Sequence, residues 1–472
     1  MSAKAIGLLV GAGALAAGIF ASPPAGLERE GFVVAGLVVL MAAWWMTEAL
    51  PLTATALMPF LVLPFAGVLD AGETASAYYS PILFLLLGGA FIALAIERTG
   101  LHRRLSLAIL RAIGTGGGQW RLLLAFMVSA ALLSMLISNT STALIMMPMA
   151  LAVLSGGSVG TDAESETNGL SGALPMGIAF AASIGGLGTI VGSPTNAIAV
   201  GLLDETIDVQ ISFAQWTAYG LPVVLVGVPL AALIIAKVQR VADHPFDVAA
   251  ARDAIDDRAP WSSAERRLVP VIALTFLAWM SQPLLDPLLP EGSLTDGTIA
   301  IAASLALFLL PDGTGRPLLT WPEADRAPWG VIMMFGGGLA LAAGMSASGL
   351  AEWLGESLLP LAAVPLPVVA LAIVAMVVLV TEFASNVATA TAIVPVVASL
   401  VVALGADPVL LAMPAALAAS WGFMLPAGTG PNAIAWSTGR IRIGRMVTAG
   451  IVLDLIGIFL IVGLVWASAA VI

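Results

Sequence analysis

The sequence predicts an all-α polytopic membrane protein built from two repeats of opposite orientation. Hydrophobic residues make up 60% of the 472 residues and charged residues only 10%. Apolar stretches long enough to span a bilayer recur along the whole chain. The polar patterns of the first half return in the second half in the same order. The chain has no cysteine, which excludes disulfides, thiolate catalysis and cysteine metal sites.

The apolar stretches predict about eleven transmembrane helices and two re-entrant hairpins. The helices are expected at 5–21, 32–50, 52–69, 80–97, 172–202, 217–237, 268–285, 297–311, 329–346, 409–438 and 446–470. Two further stretches, about 122–154 and 366–403, are interrupted midway by polar residues, which leaves limbs too short to cross a bilayer. We interpret them as re-entrant hairpins with the polar residues at their tips.

The basic residues predict the orientation of the chain in the membrane. With the N-terminus in the cytoplasm, Arg29 is the one residue among the 18 Lys and Arg that falls outside. This distribution follows the positive-inside rule. It predicts a protein of the cell (inner) membrane whose C-terminus is on the external side. Residues 1–22 also resemble a secretory signal, but removing them would reverse a topology that the basic residues favour.

The second half repeats the first with inverted topology. Gly88-Gly89 corresponds to Gly337-Gly338, two pairs that we interpret as helix-packing positions. The first hairpin enters from the cytoplasm and the second from outside, an arrangement typical of secondary transporters. The predicted divisions are an N-terminal span and loop (1–30), a first repeat (31–242), a cytoplasmic linker helix (243–267) and a second repeat (268–472).

Two pairs of polar sequences form the candidate binding site. The hairpin tips carry Ser138-Asn139-Thr140 and Ser385-Asn386-Val387. Each tip is followed about fifty residues later by a box, Gly192-Ser193-Pro194-Thr195-Asn196 or Gly428-Thr429-Gly430-Pro431-Asn432. Hydroxyls, amides and helix-breaking residues are costly inside apolar sequence unless they bind something.

The chemistry of these sequences favours an anion together with small cations. Helix N-termini attract anions, whereas freed carbonyls and side-chain oxygens attract hard cations. No Lys or Arg lies between Arg121 and Lys237, or between Arg326 and Arg440. Bound cations are therefore expected to compensate the charge of an anion at membrane depth, and sodium suits ligands that are all oxygen.

The same residues resemble a known family. The run Trp44-Trp45-Met46-Thr47-Glu48-Ala49-Leu50-Pro51, the tips, the boxes and the segment from Ala95 to Arg104 are similar to the divalent anion/sodium symporter family. Its members include bacterial sodium-coupled dicarboxylate carriers and human sodium/dicarboxylate and citrate carriers. The resemblance implies a homodimer with a fixed scaffold domain and a mobile transport domain that moves the site by an elevator mechanism.

The resemblance also implies the ligands at each site. The first sodium ion would bind Ser134, Ser138, Asn139 and the backbone of Gly192. The second would bind Thr381, the backbone of Ala384, Asn386 and the backbone of Gly428. The substrate would bind Ser138, Asn139, Thr140, Ser193, Pro194, Ser385, Asn386, Val387, Thr429 and Gly430. Val387 stands where some members have threonine and Gly430 where many have proline, so the choice among anions stays open.

We therefore predict sodium-coupled symport of a divalent organic anion, favouring a C4-dicarboxylate such as succinate, malate or fumarate. Citrate, sulfate and a sodium-independent dicarboxylate exchanger are alternatives, although an exchanger would be expected to place a basic group at a sodium position. A proton antiporter would depend on Glu382. A membrane enzyme is disfavoured because no nucleophile, metal cluster or paired acids accompany the motifs. The expected partners are the substrate, sodium and lipid, with no organic cofactor and no nucleic acid.

Overall fold

The computed structural model describes residues 2–113, 118–157, 167–244, 246–248 and 260–471. Within these residues the protein is all-helical and has no β-strand. The first half contains α1 (Ala3–Phe20), α2 (Arg29–Thr47), α3 (Leu52–Thr55), α4 (Met58–Phe65), α5 (Ala71–Ala77), α6 (Ile82–Thr99), α7 (Leu101–Ile113), α8 (Gly118–Ser134), α9 (Asn139–Gly157), α10 (Gly169–Gly186), α11 (Pro194–Ile207) and α12 (Phe213–Val238).

The second half repeats this order of elements. It contains α13 (Ser263–Leu285), α14 (Asp296–Leu309), α15 (Trp321–Ala324), α16 (Trp329–Ala347), α17 (Leu350–Leu358), α18 (Leu366–Thr381), α19 (Asn386–Leu404), α20 (Pro408–Ala418), α21 (Gly430–Ser437) and α22 (Ile443–Ala469). Ten helices in the described part of the chain are long and apolar enough to cross a membrane. This confirms the prediction of a multi-pass membrane protein.

Both interrupted stretches form the predicted helical hairpins. The limbs α8 and α9 pack against each other, as do α18 and α19. The Ser138 hydroxyl accepts a hydrogen bond from Ser141 N at 3.2 Å, and the Ser385 hydroxyl accepts one from Ala388 N at 3.2 Å. Each serine therefore caps the helix that leaves its tip and fixes the point where the chain reverses.

The two boxes interrupt helices that were each predicted as one span. The stretch 172–202 is divided into α10 and α11, with a 3₁₀ turn at Ile190–Gly192 between them. The stretch 409–438 is divided into α20 and α21. Pro194 and Pro431 lie in the first turn of the helices that follow, where a missing N–H is tolerated. The breaks leave backbone polar groups free at the level of the hairpin tips.

The predicted span 52–69 differs from the structure. It consists of two short helices, α3 and α4, which are separated at Ala56–Leu57. Proline cannot donate a backbone hydrogen bond and crowds the carbonyl four residues earlier, so Pro59 prevents α3 from continuing into α4. Residues 245 and 249–259 of the predicted linker helix at 243–267 lie outside the described residues. The helix α13 begins within the predicted linker, at Ser263.

Two short amphipathic helices, α7 and α17, follow the ends of α6 and α16. Gly100 and Gly349 precede them with φ of +76° and +71°. Glycine adopts this left-handed conformation without strain, so the chain changes direction at the same point of each repeat. These two helices were not predicted from the sequence.

The paired glycines are packing positions, as predicted. A Cβ on Gly88 would lie 2.6 Å from that of Ala300, and one on Gly337 would collide with Ala56. The second member of each pair faces a different partner. A Cβ on Gly89 would lie 2.9 Å from Val191, next to the first box, and one on Gly338 would collide with Thr391 of the second hairpin.

Ion pairs connect several helices and loops at one end of the helical assembly. Arg98, at the end of α6, bonds Asp312 and reaches Glu323 at 3.3 Å. Hydrogen bonds from Thr314 and from Arg98 hold the pKa of the Asp312 carboxyl below its usual range. Nearby, Arg104 pairs with Glu265 at 2.7 Å. All these residues belong to segments that the basic-residue distribution places on the cytoplasmic side.

Candidate functional site

A cavity of about 500 Å³ lies where the two halves of the chain meet. Both hairpin tips and both boxes contribute to its wall. All ten residues predicted to bind substrate line it: Ser138, Asn139, Thr140, Ser193, Pro194, Ser385, Asn386, Val387, Thr429 and Gly430. The structure therefore brings together groups that are nearly 300 residues apart in sequence.

Four helix N-termini meet at this cavity. The helices α9 and α19 begin at the tips, and α11 and α21 begin at the boxes. The Thr429 hydroxyl caps α21 by accepting from Asn432 N at 3.2 Å, whereas Ser193 makes no capping bond to α11. Unpaired N–H groups and the positive ends of four helix dipoles make such a cavity attractive to an anion.

Oxygen atoms cluster behind the first tip, around Asn139. The Ser134 hydroxyl donates to Asn139 Oδ1 at 2.7 Å. A Cβ on Gly192 would lie 2.6 Å from the carbonyl oxygen of Gly186 and 2.9 Å from that of Ser134. Ser134, Asn139 and Gly192, three of the four residues assigned to the first sodium ion, are thus brought together. Ser138 is adjacent in the chain but directs its hydroxyl to Ser141.

The amide of Asn139 is surrounded by acceptors. If the amide is turned by 180°, its nitrogen donates to Ser134 Oγ at 2.7 Å, to Gly192 O at 3.1 Å and to Ala182 O at 3.2 Å. The end of this side chain therefore faces three oxygens. Either the amide nitrogen or a cation held beside the amide oxygen would satisfy them.

The second half repeats this arrangement around Asn386. The Thr381 hydroxyl lies 2.9 Å from Asn386 Oδ1 and 2.6 Å from the carbonyl oxygen of Ala419. Gly428 lies close to the carbonyl oxygens of Glu382, Leu425 and Thr381. Thr381, Asn386 and Gly428 therefore correspond to Ser134, Asn139 and Gly192. Ala384 is buried next to them, and its N–H donates to Val380 O.

Ionisable side chains are almost absent from the cavity. Within the described part of the chain, Glu97 and Arg326 are the ionisable residues that line it. They form an exposed ion pair at 3.3 Å. The residues of both oxygen clusters belong to the two sequence windows that contain no Lys or Arg.

Comparison with known proteins identifies the family. The profile described as "Sodium:sulfate symporter transmembrane region" matches residues 3–472. A sodium-dependent dicarboxylate transporter SdcS from Staphylococcus saprophyticus is 37% identical over 471 residues, which cover 98% of this chain and 90% of that protein. A protein of the same name from Staphylococcus aureus is 38% identical over 453 residues, covering 94% and 87%. The chain belongs to the divalent anion/sodium symporter family.

The fold agrees with a solved structure of low sequence identity. The crystal structure of the Alcanivorax borkumensis YdaH transporter aligns with a TM-score of 0.57 and 16% identity, covering 91% of this chain and 98% of that one. Divalent anion/sodium symporters are transporters, so the chain is a transporter and not an enzyme. The family assignment made from the tips and boxes is confirmed.

Several residues that shape the site were missed by the sequence analysis of this symporter. Thr189 donates to Met135 O at 2.7 Å and accepts from Gly192 N at 3.0 Å, which ties the first tip to the first box. Asn196 donates to Gly186 O at 2.7 Å and to Thr189 O at 2.8 Å. Asn196 ends the first box and belongs to the candidate site, but no role was assigned to it from the sequence. Thr189 had no signal, since an isolated threonine usually bonds its own helix.

Buried carboxyl groups lie behind the second tip. Glu382 is buried and accepts hydrogen bonds from Met424 N at 3.0 Å and Leu425 N at 3.1 Å. It therefore links the tip to the loop between α20 and α21. Asp454 of α22, also buried, lies beside it. Glu382 is a candidate proton relay from the sequence, whereas Asp454 was not predicted to lie near the site.

Proposed function

We propose that this protein is a sodium-coupled symporter of a divalent organic anion, with a C4-dicarboxylate as its substrate. The observation that supports this most is the repeated cluster of Ser134 or Thr381, an asparagine and a box glycine behind each tip. Each cluster offers a cation several uncharged oxygens. The two 37–38% identical relatives named as sodium-dependent dicarboxylate transporters support the same coupling and substrate class.

In this proposal the anion binds between the tips and the ions bind behind them. The substrate carboxylates meet the N-termini of α9 and α19 together with the hydroxyls of Ser138, Thr140, Ser193, Ser385 and Thr429. Asn139 and Asn386 each lie between an ion and the anion. Two sodium ions would balance the charge of a dianion in a region without basic side chains, where an uncompensated charge costs at least several kcal/mol.

The site would be carried across the membrane by an elevator movement in a homodimer. The moving unit would contain the two hairpins, the broken helices and α12 and α22, and the scaffold would contain α1–α6 and α13–α16. Gly89, Gly201 and Gly338 lie where these two groups of helices touch. Close glycine contacts favour sliding of one surface over another because few side chains interlock.

The cavity would face the cytoplasm in the conformation described. Its wall extends to Glu97 and Arg326, which belong to segments assigned to the cytoplasmic side by the positive-inside rule. In that orientation the N-terminus is cytoplasmic and the C-terminus external.

Uptake of radiolabelled succinate into proteoliposomes tests this proposal. We expect rapid uptake with external sodium, little uptake with potassium in its place, and inhibition by excess fumarate or malate. Uptake that needs internal succinate and ignores sodium would make the protein an exchanger. Competition by citrate or sulfate that is stronger than competition by malate would change the substrate while leaving sodium coupling intact.

A further inference from the structure

Among the described residues, Arg326 is the basic residue that lines the cavity, and it takes no part in the binding of ions or substrate at the tips. It lies just before α16, at the edge of the long window without Lys or Arg. Its side chain is 64% exposed, and its guanidinium lies 3.3 Å from a carboxylate oxygen of Glu97, which is 38% exposed. Both residues border the same cavity as the tips.

The helix α6 gives the position of this pair relative to the tips. Leu86, Gly89, Ala90, Ala93, Leu94 and Glu97 line the cavity, so one face of α6 forms a continuous wall. Gly89 packs against Val191, beside the first box. Glu97 lies eight residues further along the helix, which is about 12 Å at 1.5 Å per residue. The Glu97–Arg326 pair is therefore at the mouth of the cavity and not at its base.

The ion pair between Arg326 and Glu97 is weak enough for a competing anion to break it. It has one long contact between exposed groups, which is a weak type of ion pair. Arginine binds carboxylates through two parallel N–H groups, and the Arg326–Glu97 contact uses one nitrogen. A carboxylate that offers two oxygens in plane would compete effectively with Glu97 for the guanidinium.

We propose that Arg326 is a docking residue that binds a carboxylate of the substrate at the cytoplasmic mouth of the cavity. Glu97 competes with the substrate for the Arg326 guanidinium and thereby promotes release of the substrate. This inference rests on the proposed function and adds a step to it. A dianion arriving from, or leaving for, the cytoplasm binds one carboxylate to Arg326 before or after it contacts the tips. Glu97 takes back the guanidinium when the anion moves on, so the anion is not trapped.

The distance from the tips makes this role separable from substrate binding at the base. At about 0.01 M salt the Debye length is about 30 Å, so Arg326 can attract a dianion through the whole mouth. At about 0.5 M salt it falls below about 5 Å, and Arg326 no longer acts on an anion held at the tips. A residue that only stabilised the fold would not produce such a salt dependence.

Vesicles of defined orientation test the docking role. Initial rates of succinate uptake are measured in inside-out and right-side-out membrane vesicles at one fixed sodium concentration of about 0.01 M, and choline chloride raises the ionic strength in the high-salt arm. Arg326→Gln is expected to raise KM about fivefold to tenfold at low salt in inside-out vesicles, with little change in maximal rate. Glu97→Gln is expected to lower KM there. Neither substitution should change KM in right-side-out vesicles, and the effects should vanish at high salt.

Arg442→Gln is the matched control, because Arg442 is exposed in another predicted cytoplasmic segment and is not part of the cavity wall. An equal KM increase in Arg442→Gln would mean that net charge alone is responsible and would overturn the docking role. So would an unchanged KM in Arg326→Gln, or a fall in maximal rate without a KM effect. If the unsubstituted protein takes up no succinate in either orientation, the proposed function fails and this inference with it.

Discussion

At the residue scale, the site depends on a small set of side chains used twice. Asn139 and Asn386 each follow a capping serine, each lie beside a hydroxyl five residues earlier, and each line the cavity. One amide can therefore contact an ion through its oxygen while its backbone belongs to the helix N-terminus that faces the anion. In the proposed mechanism, ion binding and substrate binding are linked within these single residues.

Replacing either asparagine should weaken sodium and substrate together. Asn139→Ala and Asn386→Ala each remove an oxygen from a cation cluster, a charge-assisted contact of about 1.5–3 kcal/mol. We expect the sodium concentration for half-maximal uptake to rise about tenfold or more, with slower transport. Sodium titrations of succinate uptake measure this, and normal transport by either variant would show that the site is misplaced.

Gly430 controls the width of the cavity. A Cβ at this position would collide with the Thr140 hydroxyl of the opposite tip. Gly430→Ala should therefore displace Thr140 and raise KM for succinate about fivefold, with sodium affinity nearly unchanged. Gly444→Ala is the control, because a Cβ there meets nothing within 4 Å. An unchanged KM would mean that Thr140 does not contact the substrate.

The cavity residues could be predicted because polar groups inside apolar sequence need a partner. This reasoning located the tips and the boxes. The ten predicted substrate residues followed from the family resemblance, and all ten line one cavity. Thr189, whose partner Met135 is distant in sequence, was missed, and the hydrogen bond that Glu382, a candidate relay in the sequence, accepts from Met424 N was not predicted. Nothing in the local sequence distinguishes them from a helix hydroxyl bonded to its own turn or an acid at a helix end.

At the element scale, the two hairpins were predictable, whereas the breaks within two spans and the short helices were not. The polar tips predicted the hairpins, although the limbs α9 and α19 are long enough to cross a bilayer. The boxes contain helix-breaking residues, yet 172–202 and 409–438 were each predicted as one span. The division of 52–69 into α3 and α4 depends on where prolines fall within an apolar run, and hydropathy does not register it. The amphipathic helices α7 and α17 depend on packing against neighbouring elements, which composition alone does not reveal.

The second glycine of each pair lies between groups of helices that the elevator proposal moves relative to one another. In the conformation described, Gly338 packs directly against Thr391. Gly338→Val should create a side chain that interlocks with the second hairpin, because overpacked contacts cost about 1–3 kcal/mol. We expect a maximal transport rate at least about fivefold lower, with succinate binding retained.

Transport rates and equilibrium succinate binding are measured on the same preparation of Gly338→Val, which separates a loss of movement from a loss of substrate binding. Gly13→Val provides the control, because a Cβ on Gly13 meets nothing within 4 Å. If Gly338→Val binds succinate normally and transports at the normal rate, Gly338 does not lie on a sliding surface. Gly338→Ala introduces a smaller side chain and provides a second test of the same contact if Gly338→Val does not fold.

At the scale of the whole molecule, duplication explains why one chain can hold both an anion and its counter-charges. Each repeat supplies one tip, one box and one oxygen cluster, and the inverted arrangement brings the two tips to a common cavity. Segments assigned to the cytoplasm also contact one another, as Arg440 does with Ser171 at 2.7 Å and Arg445 with Gln239 at 3.2 Å. Basic residues mark the segments of Gln239, Arg440 and Arg445 as cytoplasmic, whereas the segment of Ser171 has no Lys or Arg and is placed on that side by the count of spans.

Steady-state accumulation tests the central claim, that two sodium ions drive one dianion. Proteoliposomes receive a tenfold inward sodium gradient with the membrane potential held at zero by valinomycin and equal potassium, and internal and external succinate are measured. Two coupled ions predict accumulation of about 100-fold, since each tenfold gradient supplies about 1.4 kcal/mol per ion. Accumulation of about tenfold would mean that one sodium ion is coupled to each dianion and would contradict the two-ion claim. Equal succinate concentrations on the two sides would contradict sodium coupling altogether.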